Sequence, residues 1–168
     1  DMIYNLKKIS DTNLEYLLEL VKNCKEASKE QLDIINQNSV GLIDYSYKGK
    51  GPVKIDFLSI EDNLEMVNLF KKELDINKNE IISIHLNQYQ ETSKTLPHKD
   101  SNSSRTYLIL LDMAEEGGEL TLDFEIVPFN EVGQVIDYDG SEVMHGVNEI
   151  KKGFRKTLVV WTKPKSIL

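Results

Sequence analysis

At 168 residues the chain is the size of one domain with a substantial core, and 40% hydrophobic with 29% charged residues excludes a disordered polymer. Lys and Arg number 20 against 28 Asp and Glu, and the net charge of −8 repels phosphate backbones, which makes a nucleic-acid partner a poor fit. The single cysteine, Cys24, excludes an intramolecular disulfide and a thiolate metal cluster.

No run is long and apolar enough to span a membrane, and Asp1–Tyr4 offers neither a basic nor an apolar leader. A reducing, cytoplasmic setting without a membrane partner is expected, and the oligomeric state is left open. Asp11 or Thr12 is positioned to cap a helix carrying Leu14, Leu17, Leu18, Val21 and Cys24 at helical spacing. Cys24 on that apolar side reads as a buried structural thiol. A second helical stretch runs to about Ile35, and Asn36-Gln37-Asn38-Ser39 breaks it.

Residues 40–58 read as two short strands, Val40–Tyr47 and Val53–Leu58, about a hairpin tip Lys48-Gly49-Lys50-Gly51-Pro52. The same basic, glycine-rich loop, together with Ser101-Asn102-Ser103-Ser104, is a candidate lid over a pocket. Ser59 or Asp62 opens a further amphipathic helix with Leu64, Val67, Phe70 and Leu74. Beyond it the period changes to two. Ile82, Ile84 and Leu86 form an apolar strand face, and Ser83, His85, Asn87 and Tyr89 the opposite, polar one. Strands are then predicted at Arg105–Asp112, Glu119–Val127, Gln134–Tyr138, Ser141–Val147 and Lys156–Trp161. Helices first and strands after predict helices packed on one face of a β-sandwich.

Within the strand region, His98 and Asp100 are two residues apart and share a strand face. With His145 they form two imidazoles and a carboxylate, the ligand set that leaves three open positions on Fe(II) in non-haem oxygenases. Arg155 follows ten residues later, a permanently charged fork suited to grip a carboxylate through two parallel bonds. Thr157 shares its face and offers a hydroxyl to the same carboxylate, and Trp161 continues that face.

Tyr89 precedes Pro97-His98-Lys99-Asp100, and Arg105 leads into Leu108-Ile109-Leu110-Leu111. Gly117-Gly118-Glu119-Leu120, Gly133-Gln134-Val135-Ile136, Met144-His145-Gly146-Val147 and Gly153-Phe154-Arg155 follow in order. This combination over Tyr89–Trp161 resembles the catalytic core of the 2-oxoglutarate- and Fe(II)-dependent oxygenases, in particular the prolyl 4-hydroxylase-like branch. The resemblance implies a mostly β, α+β fold: a double-stranded β-helix (jelly roll) with helices packed on its major sheet. One domain would span 1–168, with helical support over about 1–78 and a catalytic core over about 79–165.

It further implies Fe(II) held by His98, Asp100 and His145 as catalytic metal ligands, and 2-oxoglutarate as co-substrate with its distal carboxylate on Arg155. Tyr89 would face the pocket. A second pocket tyrosine of the family falls near Leu110, which has no hydroxyl, so Thr157 or Tyr89 is left to assist Arg155. O₂ completes the cofactor set, with ascorbate an optional addition. The implied reaction is hydroxylation of an unactivated C–H with conversion of 2-oxoglutarate to succinate. Asp100 supports hydroxylation, since halogenating relatives put a small residue there. If Tyr89 faces the pocket, strand alternation turns His85 and Asn87 toward it too, and these with Trp161 are the candidate substrate contacts.

A prolyl residue in a peptide or protein is the first substrate expectation, and a free amino acid or other small metabolite the alternative. A nucleic-acid demethylase of the AlkB type is disfavoured because Trp161 stands where its second arginine would be. A Jumonji-type site would use a lysine, and a cupin further His and Glu ligands. From another class, a non-catalytic jelly-roll binding module is the rival; all four of His98, Asp100, His145 and Arg155 speak against it.

Overall fold

The computed structural model describes residues 3–41, 51–76, 79–101 and 103–165. In chain order, the amino-terminal part contributes β1 (Tyr4–Lys8), α1 (Asp11–Leu20), β2 (Lys25–Glu26), α2 (Lys29–Asn38), β3 (Ser39–Gly41), β4 (Lys54–Phe57) and α3 (Leu64–Glu73). The strand region follows as β5 (Asn79–Tyr89), β6 (Thr95–Asp100), β7 (Arg105–Asp112), β8 (Glu116–Gly117), β9 (Leu120–Leu122) and β10 (Glu125–Ile126). It closes with β11 (Gln134–Tyr138), β12 (His145–Val147), β13 (Ile150–Lys152) and β14 (Arg155–Pro164).

Seven strands form one sheet in the order β1-β11-β7-β14-β5-β4-β2, and five form a second in the order β10-β9-β12-β6-β3. From β5 onward the chain steps from the larger sheet to the smaller and back: β5, β7, β11 and β14 lie in the larger, β6, β9 and β12 in the smaller. This alternation makes the jelly roll. The short pair β8–β13 stands apart from both sheets.

The larger sheet buries both faces. On its outer face Ile84 and Leu86 of β5, Ile109 and Leu111 of β7, and Leu158 and Val160 of β14 pack with Leu17 of α1 and Met66, Val67 and Phe70 of α3. On its inner face Leu108, Leu110, Ile136, Tyr138, Val159 and Trp161 meet Leu120, Leu122 and Val147 of the smaller sheet. Helices against one face of a β-sandwich is the expected arrangement.

Several expected details give way. The cap of α1 is Ser10, whose Oγ accepts from Asn13 N at 3.2 Å, and Asp11 is the first helical residue. The α-helix ends at Leu20 and tightens into a 3₁₀ turn over Val21–Asn23, so Cys24 lies past its end. Cys24 is half-buried, and burial, with a smaller contribution from Asp56, pushes its thiol up to about 11, which keeps it inert. Leu18 and Leu64 fall outside their helices' apolar stripes and are exposed. The second helix runs on to Asn38.

The expected hairpin over 40–58 is overturned: β3 pairs with β6 in the smaller sheet and β4 with β5 in the larger, so the connection crosses between sheets. Its residues 42–50, including Lys48-Gly49-Lys50, lie outside the described residues. The single strand expected over Glu119–Val127 is two, β9 and β10, folded about Asp123 and Phe124 at φ 48° and 68°. Those two left-handed residues twist a two-residue turn to suit a hairpin without the glycine that normally marks one. The strand expected over Ser141–Val147 shortens to β12, because Asp139 Oδ1 accepts from Ser141 N and Oγ and winds that stretch into a turn. Finally, the pairing of β14 with β5 slips between Trp161 and Thr162. Beyond that slip Ile81 packs with the helix layer and Ile82 with the inner core, the reverse of strict alternation.

Candidate metal and carboxylate site

The smaller sheet brings three ligands together. β6 and β12 are antiparallel neighbours, and their register sets His98 opposite His145. The two rings stand 4.3 Å apart between centroids. Asp100, two residues along β6, reaches both: its Oδ2 lies 2.9 Å from His145 Nε2 and its Oδ1 3.4 Å from His98 Nε2. The potential ligand atoms of all three lie within 4.8 Å of one another, and the residues are largely buried.

A bulge aims the first histidine. His145 pairs with His98 but Val147 pairs with Thr95, so three steps of β6 oppose two of β12. Thr95 and His98 can therefore both point inward, which strict alternation forbids. Gly146 permits the closeness. A Cβ there would stand 2.8 Å from Thr95 O and 3.0 Å from Pro97 N.

Each imidazole is held by its other nitrogen. His98 Nδ1 bonds Leu96 O at 2.9 Å and His145 Nδ1 bonds Val143 O at 2.8 Å. A carbonyl can only accept, so Nδ1–H donates in both and each Nε2 turns a lone pair to the centre. Facing a carboxylate at these distances, those lone pairs require a proton or a cation between them. Burial works to raise the Asp100 carboxyl, but with protons on the two Nε2 atoms hydrogen bonds from His145 and His98 and their charges hold it well below the usual carboxylate range. Burial likewise depresses His98, and its bond to Asp100, the charge of Asp100 and the Leu96 carbonyl together more than offset this. A dry, three-pronged N,N,O⁻ set with fixed tautomers fits a divalent first-row cation that keeps open positions.

The larger sheet supplies the facing wall. Arg155 and Tyr89 are register partners on β14 and β5, and the guanidinium carbon lies 5.3 Å from the Tyr89 ring centroid. Tyr89 Oη and Thr95 Oγ1, 2.8 Å apart, tie this end to the smaller sheet. Gly118, at φ +74°, packs closely on Ile150: a Cβ on it would meet Ile150 Cδ1 at 2.6 Å, while Arg155 Cδ, at 3.6 Å, would be in ordinary contact. Arg155 is buried, and burial lowers its pKa against the opposing influence of the Tyr89 and Tyr138 phenols. Among the described residues its Nη2 has no hydrogen-bond partner, and neither has the buried Oγ1 of Thr157. Unpaired buried donors are costly, and these two share one inner face.

Of the candidate substrate contacts, His85, Asn87 and Trp161 all lie on β5 or β14. His85 is buried edge-on to Trp161, ring centroids 4.9 Å apart, with Phe57 at 5.3 Å on its other side. Its Nδ1 lies 3.2 Å from Ser83 Oγ, and burial pushes the imidazole down to about 4. The neighbouring Asn87 Oδ1 is buried without a partner. Leu110, the register partner of Thr157 on β7, is apolar and buried. The sequence reading missed Tyr138. Its buried ring stands 5.0 Å from that of His145, and burial pushes its phenol well above the usual range, with Asp100 and Tyr89 adding to this and Arg155 opposing it. In the second lid segment, Ser103 is buried and bonded to Thr106 Oγ1, and Ser104 bonds Thr162 O. These two residues are therefore fastened to the sheet, and Asn102 lies outside the described residues.

Neither a family model nor a curated protein matches the sequence. Solved structures do match. A prolyl-4-hydroxylase from Pseudomonas putida aligns over 98% of this chain and 94% of its own at 11% identity, with a TM-score of 0.62. The collagen prolyl hydroxylase of Paramecium Bursaria Chlorella virus-1, solved as its 2OG complex, aligns over 98% and 97% at 13% identity and a TM-score of 0.58. The chain has the prolyl 4-hydroxylase fold. A prolyl hydroxylase from Trichoplax adhaerens, in complex with a hypoxia inducible factor peptide fragment, aligns over 96% of this chain and 84% of its own at 12% identity and a TM-score of 0.65. The jelly-roll expectation thus holds across nearly the whole chain, the amino-terminal helices included.

Proposed function

We propose that this protein is an Fe(II)- and 2-oxoglutarate-dependent dioxygenase that hydroxylates an unactivated C–H, with a prolyl residue in a peptide or protein as first candidate substrate. The observation that carries the reading is the pairing of two half-sites. The His98–Asp100–His145 triad lies on one sheet, and the unpartnered Arg155 Nη2 and Thr157 Oγ1 lie on the facing sheet. In this reading the triad holds iron, and Arg155 with Thr157 takes the distal carboxylate of 2-oxoglutarate. Bound together, iron and 2-oxoglutarate supply the oxidising power that splits O₂ between succinate and the hydroxylated product.

The protein's own residues bind, orient and exclude water. The Nδ1–H bonds to Leu96 O and Val143 O fix the tautomer of both imidazoles and turn each Nε2 toward the centre. Arg155 and Thr157 fix the co-substrate from its far end. Leu108, Leu110, Leu122, Val147 and Val159 keep the space between dry. His85, its basicity depressed by burial to a pKa of about 4, is a weak base, and the reaction needs none.

A peptide is favoured over a free amino acid by the structural likeness to the Trichoplax protein, which is in complex with a peptide fragment. Among the described residues no helix is long and apolar enough to cross a membrane. A cytoplasmic setting belongs to the same proposal, because Fe(II) and the free thiol of Cys24 both persist under reducing conditions.

Purified protein should bind Fe(II) and release succinate from 2-oxoglutarate when supplied with proline-containing peptides. Succinate release with free amino acids alone moves the substrate to the small-metabolite alternative. Absence of both iron binding and succinate release would falsify the enzyme reading in favour of a binding module.

A further inference from the structure

The inner face of the larger sheet is a grid whose rows are set by the strand registers. Arg155 and Tyr89 form one row. Asn87, Thr157 and Leu110 form the next, side by side on β5, β14 and β7. His85, Val159 and Leu108 form the row after that. Thr157 therefore has two lateral neighbours on this face. Leu110 is wholly apolar, so the polar one is Asn87. Cross-strand partners hold their Cβ atoms about 5 Å apart.

Three buried polar atoms in these two rows have no partner: Arg155 Nη2, Thr157 Oγ1 and Asn87 Oδ1. An unpaired buried amide oxygen is as costly as an unpaired hydroxyl, and three such atoms side by side suit one polar ligand. The sequence reading counted Asn87 with the substrate contacts. The register argues otherwise, because Asn87 adjoins Thr157, while the candidate substrate contacts His85 and Trp161 lie in later rows.

Resting on the dioxygenase reading above, we propose that Asn87 belongs to the co-substrate pocket and hydrogen-bonds a carboxylate of the bound dicarboxylate beside Arg155 and Thr157. A half-turn of the amide presents its N–H₂ to the anion, and its two orientations fill the same space. Asn87 is then a positioning residue for 2-oxoglutarate and sets affinity for it, leaving substrate choice to the other end of the pocket.

The test is calorimetric titration of 2-oxoglutarate into the Fe(II)-loaded protein without O₂, so that binding is read and turnover is not. Asn87→Ala should weaken binding about 10- to 100-fold, the effect of losing one hydrogen bond to a charged group. Asn87→Asp, almost the same shape, should weaken it further, because it sets a negative charge against the anion. Iron affinity and the melting temperature of the metal-free protein should be unchanged in both. Wild-type binding by Asn87→Asp overturns the proposal, as does loss of iron affinity in parallel with 2-oxoglutarate affinity. If Asn87→Ala fails to fold, Asn87→Asp and Asn87→Ser decide, Ser falling between Asn and Ala. Failure of the wild-type protein to bind 2-oxoglutarate at all defeats the dioxygenase reading and this one together. Wild-type binding with unaltered variants defeats this one alone.

Discussion

The two faces of the larger sheet are made by the same strands and differ in everything except backbone. On the outer face Ile84, Leu86, Ile109, Leu111, Leu158 and Val160 close against α1 and α3. On the inner face the alternate residues include His85, Asn87, Arg155 and Thr157, three of which hold buried polar atoms with no partner. One face is satisfied by its own chain, and the other keeps buried polar atoms unpaired among the described residues. Stability and function are thus separated by a two-residue period, and substitutions on the two faces should have opposite signatures.

The largest effect is expected at Arg155. Arg155→Met removes two charge-assisted hydrogen bonds to the co-substrate, worth about 1.5–3 kcal/mol each, and should weaken 2-oxoglutarate binding roughly 10²- to 10⁴-fold. The same change removes a buried, uncompensated cation, so the melting temperature of the metal-free protein should not fall. A large loss of thermal stability with binding intact would mean that Arg155 serves the core.

The outer face should answer in reverse. Ile109 is fully buried between β7 and the helices, and Ile109→Ala leaves a cavity costing about 2–5 kcal/mol. Denaturant unfolding reads that loss directly. Co-substrate affinity of the folded fraction should be that of the wild type. A shift in affinity would tie the two faces together through the sheet.

Much of this separation was legible in the sequence. The period of two in 82–89 assigned Ile82, Ile84 and Leu86 to the helices and His85, Asn87 and Tyr89 to the opposite face. Ile84 and Leu86 do pack with the helices, and His98, Asp100 and His145 come together in one cluster. Bulges were not legible. The slip at Trp161/Thr162 reverses Ile81 and Ile82, and the one in β6 turns Thr95 and His98 to the same side, because a bulge is a fact about two strands and leaves little mark on either. Tyr138 was missed for a related reason. Its strand, Gln134–Tyr138, is apolar at both Val135 and Ile136, since both faces of this sheet are buried, so no alternation told which way Tyr138 points. The short strands β1 to β4 depend on partners far along the chain, which local propensity does not reveal.

The smallest effect separates the faces by pH. His85 is the inner-face imidazole, lowered from 6.5 to about 4 by burial beside Phe57 and Trp161, against a weaker opposing pull from Asp100. Between those two values the unfolded chain takes up a proton that the folded chain refuses, so protons favour unfolding. The stability owed to neutral His85 is therefore fully present above pH 6.5 and is lost as the pH falls toward about 4. At most about 3 kcal/mol is involved. His85→Leu, close in volume and unable to titrate, should flatten that acid limb while leaving the curve above pH 7 parallel to the wild type. Denaturant unfolding at intervals from pH 7 to pH 4 measures the difference between the two proteins, which cancels the carboxylates common to both. An identical acid limb in wild type and variant would mean that His85 is solvated in the working protein, and that this end of the inner face admits water where the Arg155 end excludes it.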